Sequence, residues 1–118
     1  MGATRSHSTP TSTARWSGPK AEANFANDTS AATLRKAFAW ADPDGDPSVK
    51  ATYKFIHHEV GRDGKVGAAN VRACTSGIGV LNGARGGADI PARDRPGVWR
   101  HLARHLRDAG VEPAPLKE

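Results

Sequence analysis

The 118-residue chain has a single cysteine, Cys74, so it lacks the two thiols that an internal disulfide or a cysteine-based zinc cluster needs. It also lacks any apolar run as long as a membrane span. Its opening, Met-Gly-Ala-Thr-Arg-Ser-His-Ser, has no apolar stretch of the kind a secretory signal carries. Aromatic residues are scarce at 6%, and apolar residues reach only 37%, which limits the core to that of one small domain. A doubly wound nucleotide-binding fold or a barrel enzyme does not fit in this length. Acidic residues are outnumbered, 12 against 17 Lys plus Arg, for a formal charge of +5.

Acidic residues are missing altogether from positions 1 to 20, which hold four Ser, four Thr, Arg5, Arg15 and Lys20. Such a stretch buries too little apolar surface to order itself, and it reads as a flexible basic N-terminal arm. Trp16 stands out in it, either as an anchor for a partner or as a side chain that folds back on its own domain. Residues 21 to 116 then read as a small single α+β domain of three helices with a short β-hairpin, and 117 to 118 as a tail.

The first helix is expected from Ser30 to Ala41, after the capping cluster Asn27-Asp28-Thr29-Ser30, with Leu34, Ala37, Phe38 and Ala41 on one face. Asp42-Pro43 ends it. Ala51 to Ile56 is rich in strand formers and runs into His57-His58, while Arg62-Asp63-Gly64-Lys65 supplies a turn and Lys65-Val66-Gly67 a return strand. A second helix starts at Ala69-Asn70, with Val71, Cys74, Ile78 and Leu81 inward, and Asn82 to Gly87 stops it. Within it, Gly77 and Gly79 are a weakness unless they admit another backbone. The third helix spans Ala92 to Gly110, with Val98, Trp99, Leu102, Leu106 and Ala109 as its apolar stripe. The expected core is Leu34, Phe38, Tyr53, Phe55, Val71, Cys74, Ile78, Leu81, Val98, Trp99, Leu102 and Leu106.

Several patterns fall short of a site. His57-His58 before a hairpin and a helix opening near Asn70 has the outline of a ββα-metal nuclease. The last metal ligand, about two turns into that helix, is replaced by Ile78 and Gly79. Asp42, Asp44 and Asp46 alternate as in a calcium loop, but Pro47 and Tyr53 stand where Gly and Glu are required. Asn82 to Gly87 lacks the Gly-Lys-Ser/Thr of a phosphate loop. His101 and His105 share a helix face but have no third ligand nearby in sequence, so no metal site and no cofactor are expected. No nucleophile or carboxylate pair sits in a catalytic context, and the chain reads as a non-enzyme without a small-molecule substrate. Arg100, Arg104 and Arg107 could face nucleic-acid phosphates.

Phe38-Ala39-Trp40-Ala41-Asp42-Pro43-Asp44-Gly45-Asp46-Pro47, Tyr53-Lys54-Phe55-Ile56-His57-His58-Glu59, and Leu81 to Pro91 leading into Val98-Trp99-Arg100-His101-Leu102 keep a distinctive order and spacing. With Trp16-Ser17-Gly18 ahead of them, they resemble a small module of head-assembly products in tailed bacteriophages and prophages, often attached to prohead proteases or capsid-gene proteins. The likeness covers roughly residues 16 to 116, and the protease part is absent. It therefore implies a location and a partner: a minor capsid or decoration protein in the virion, present in the host cytoplasm during assembly. The implied partner is the major capsid protein or its lattice, with contact to DNA possible and no membrane. Arg5, Arg15 and Trp16 on the arm are the expected capsid contacts. The alternative is a nucleic-acid-binding protein using Arg100, Arg104, Arg107 and the arm.

Overall fold

Ser17 and Ser30 each occupy an extended position whose hydroxyl accepts the backbone N–H three residues on, so each opens a helix: α1 (Gly18–Ala23) and α2 (Ala31–Ala37). In this computed structural model, which describes residues 2 to 117, α1 is an element that the sequence did not announce. Met1 and Glu118, the first residue of the expected arm and the last of the expected tail, lie outside the described residues.

The remaining elements are β1 (Gly2–Ala3), β2 (Thr11–Ser12), β3 (Phe38–Ala41), β4 (Tyr53–Ile56), β5 (His58–Val60), β6 (Val66–Asn70), α3 (Val71–Leu81) and α4 (Arg95–Asp108). They form two three-stranded sheets, β1-β3-β4 and β2-β6-β5, in one α+β fold. Two expectations are corrected. The helix expected to run to Ala41 stops at Ala37, and Phe38 to Ala41 become the central strand of the first sheet, with all four residues buried. Strand geometry wins there because β3 is needed by both cores. Ala39 and Trp40 pack with α3 and α4, while Phe38 and Ala41 pack with α1, α2 and Tyr53.

The second correction concerns the arm. Gly2 and Ala3 pair antiparallel with Ala41 and Trp40, and Thr11 and Ser12 pair parallel with Ala69 and Asn70. A basic, hydroxyl-rich stretch too poor in apolar groups to order itself is ordered here by ladders on existing sheets. Trp16 is half-buried against the second core, the fold-back alternative, whereas Arg5 and Arg15 are exposed.

The hairpin does form, between β5 and β6, with Gly61 accepting from Gly64 and donating to Lys65 across the turn. Asn70 caps α3 with its side-chain oxygen on the Ala73 N–H, while its amide nitrogen donates to the Ala14 carbonyl and to Glu59. Asn70→Ala should therefore cost about 2 kcal/mol or more, a lost cap plus buried polar groups left unpaired, read as a lower urea midpoint. An unchanged midpoint would mean that water replaces all three bonds. Gly77 is used: a Cβ there would lie 2.9 Å from Leu102 Cδ1, so its bare backbone is what lets α3 and α4 approach. Nine of the twelve expected core residues are buried; Phe55, Val71 and Trp99 pack at its edge.

Candidate functional site

The chain has five histidines, and the fold brings all of them to one place. His7 lies in the segment between β1 and β2; because those strands join different sheets, the segment crosses the gap between them. His101 and His105 sit one turn apart on α4 and face inward beside Leu102 and Leu106. His57 fills the break between β4 and β5, and His58 opens β5. Consecutive residues of a regular strand point to opposite faces, yet both of these are buried. The break explains it: Phe55 takes a left-handed φ of 65°, a conformation costing a bulky residue about 1–2 kcal/mol, and after Ile56 the chain leaves the first sheet and enters the second at His58.

His57, His58 and His101 are 0% exposed, His105 is 1% exposed, and His7 is half-buried. Eight ring pairs are in contact, with centroids 4.7 to 5.3 Å apart. His105 touches the other four rings. Those four close a ring in the order His7, His58, His57, His101. The figure is a square pyramid with His105 at its apex.

Hydrogen bonds fix which nitrogen faces the centre. His57 Nδ1 lies 2.9 Å from the Phe55 carbonyl and His58 Nδ1 2.9 Å from the Gly67 carbonyl, so in each ring Nδ1 carries the proton and Nε2 the lone pair. His101 Nδ1 lies 3.2 Å from the Thr4 carbonyl and 3.0 Å from its hydroxyl, which itself donates to the Phe38 carbonyl. His57 Nε2, His101 Nε2 and both nitrogens of His105 are buried without a partner. His7 Nε2 and His58 Nε2 face each other at 3.1 Å.

Burial pushes His58 and His101 down to about 4 and His105 down to about 3, against an ordinary 6.5, and holds His57 well below its usual value. His7 is also lowered, first by burial, with Lys36 and Arg104 adding to the effect. At neutral pH the cluster is thus five neutral imidazoles, in which His57, His101 and His105 keep buried, unpartnered nitrogens. Two triads, His7-His101-His105 and His57-His58-His105, have ligand atoms within 4.8 Å of one another and could each hold a metal ion. A cleft of about 660 Å³ reaches the His7 and His58 edge, rimmed by Lys36 and Lys65.

The site is not legible in the sequence because its histidines come as two pairs, 57/58 and 101/105, and a single residue at 7, each far from the others along the chain. The available signal was that His101 and His105 each stand next to a leucine of the apolar stripe, Leu102 and Leu106, on the inward side of the helix. The other sequence patterns are spent locally. Asp42 and Asp46 accept backbone N–H groups of their own loop. Asn70 caps a helix instead of orienting a histidine, and Ile78 is core. Gly83, Gly86 and Gly87 take positive φ in the turn that ends α3. Arg100, Arg104 and Arg107 are exposed along one face of α4, with Arg104 bonded to the Ser8 hydroxyl and Arg107 over the Trp99 ring. No family model, curated protein or solved structure matches the chain.

Proposed function

We propose that this chain is a non-enzymatic structural protein of a tailed-phage head, a minor capsid or decoration protein that contacts the capsid lattice. The observation that carries the structural half is burial: four of the five clustered histidines are inaccessible, and the fifth, His7, comes from the N-terminal segment that covers them. Chemistry placed there serves the fold rather than a substrate. The resemblance supplies the location, and its blocks pack as one unit. Trp40 Nε1 donates to Asp94, Lys54 donates to the Asp89 carbonyl while lying over the Trp40 ring, and Trp99 Nε1 ties the C-terminal segment through the Ala114 carbonyl. Because the segment from 2 to 12 is pinned to the two sheets at Gly2–Ala3 and Thr11–Ser12, the shell contact falls to the exposed Arg5 and Arg15 and the half-buried Trp16, not to a free arm.

Mass spectrometry of gradient-purified particles tests this. The expected result is a fixed copy number relative to the major capsid protein that survives nuclease and high salt. Salt-labile traces that follow the DNA would favour the second reading, which the shared exposed face of Arg100, Arg104 and Arg107 supports. In that case, changing the three to Ala should weaken DNA binding and flatten its salt dependence by about one unit of slope for each phosphate left unneutralised.

A further inference from the structure

Four buried imidazoles packed against one another, with His57 Nε2, His101 Nε2 and both nitrogens of His105 unpartnered, make an arrangement that folding alone does not favour. Buried polar nitrogens without partners cost free energy, and lone pairs facing each other repel. Something positive at the centre removes both penalties. A proton satisfies one pair of nitrogens, but burial disfavours the charged ring; a divalent cation takes one lone pair from each ring at once and leaves only the second nitrogen of His105.

The dimensions fit an ion. In a square pyramid with edges near 5 Å, the centre of the base is equidistant from all five rings, at the edge length divided by √2, or about 3.5 Å. A ring nitrogen aimed at that point stands about 1.1 Å inside its centroid and so about 2.4 Å from the centre. An adjustment of a few tenths of an ångström brings it to the roughly 2.0–2.1 Å of a metal–imidazole bond. The 3.1 Å between His7 Nε2 and His58 Nε2 matches the roughly 3 Å between neighbouring ligands on such an ion. The outer contacts fit as well: metal-bound histidines characteristically give their other N–H to a carbonyl, as His57, His58 and His101 do here.

We propose that the five histidines hold one divalent first-row transition-metal ion, with His105 as the axial ligand and His7, His58, His57 and His101 around it. The ligand set is all imidazole, which selects the borderline ions zinc, nickel, cobalt, copper and iron(II) over the oxygen-seeking magnesium and calcium. Five ligands and an open sixth position exceed the closed tetrahedron of a structural zinc site, so zinc here is bound in expanded coordination and nickel or cobalt fits without strain. The cleft at the His7 and His58 edge is the route of entry. The ion ties the N-terminal segment, the junction of the two sheets and α4 together. The site stands whether or not the protein works in a phage head.

The test uses the untagged full chain, stripped with a chelator at neutral pH and titrated with Ni²⁺ or Co²⁺. The expected results are a 1:1 stoichiometry and a Tm about 10 °C or more higher at a hundredfold excess over Kd, with no response to Mg²⁺. X-ray absorption at the nickel edge should show a nitrogen shell with imidazole scattering. His7→Gln, at the half-buried corner, should keep the fold and weaken binding about tenfold or more. His105→Gln should abolish binding, and if it does not fold, the His7 variant and the absorption spectrum still decide. A folded, stripped protein that takes up no ion would overturn the proposal. So would stoichiometric binding that the His7 and His105 changes leave untouched, or a spectrum dominated by oxygen ligands.

Discussion

Below about pH 6.5 the metal-free protein is expected to lose stability steadily, and by pH 4 most of its urea resistance should be gone. The rings of His58 and His101 protonate near 6.5 in the unfolded chain but only at about 4 in the folded one. Unfolding therefore takes up protons, and stability rises with pH across the interval between those values. Each such ring withholds about 3 kcal/mol by pH 4, at about 1.4 kcal/mol per pH unit. A domain of this size has roughly 5–15 kcal/mol in total. His105, pushed down to about 3, and His57 act in the same direction, and Lys36 and Arg104 beside the cluster make any added positive charge less welcome. Urea unfolding in chelator at pH steps from 8 to 4 should give a plateau above pH 7 and then a falling midpoint. A midpoint that does not move between pH 7 and 4.5 would show that the rings titrate as they do in water.

Removing residues 1 to 12 is expected to lower Tm by about 20 °C or more, or to abolish the cooperative transition. The truncation deletes β1 and β2 and the bonds around them. Thr4 N–H donates to the Ala39 carbonyl, its hydroxyl to the Phe38 carbonyl, and the Ala69 N–H to the Pro10 carbonyl. Phe38, Ala39, Ala69 and the His101 ring are all essentially inaccessible, so their abandoned polar groups cost about 1–3 kcal/mol each unless water enters. On the order of 5 kcal/mol is at stake. A truncated protein with the Tm of the full chain would make the segment the loose arm that its composition suggests.

What was legible follows from what is local. The Asn70 start of α3, its stop at Asn82 to Gly87 and the end of α4 are written in caps, glycines and the 3.6-residue period, and the structure has them within a residue or two; α4 itself starts at Arg95, three residues after the expected Ala92, because Ala92–Asp94 form a 3-10 turn. The hairpin turn at Asp63-Gly64 is likewise where the sequence puts it. Phe38 to Ala41 misleads because Phe38 and Ala41 continue the helical spacing of Leu34 and Ala37. Only the two cores on either side decide for a strand. The N-terminal segment misleads for a related reason: its order comes from backbone ladders, and backbone groups leave no trace in composition. The histidine cluster was legible only in halves, as two neighbours at 57 and 58 and a helical pair at 101 and 105, with nothing in the chain to join them to position 7.

The strands that hold the N-terminal segment are two residues long each. Ladders this short open by local fluctuation at a fraction of the cost of global unfolding. The segment behaves as a latch over the cluster: β1 and β2 can lift while α3, α4 and the inner strands stay packed. The cleft at the His7 and His58 edge, lined in part by that segment, widens as the latch lifts, so an ion passes through it at the latch's tempo. Affinity, set by five imidazoles, and exchange rate, set by two pairs of residues at the start of the chain, become separately adjustable properties of the same small fold.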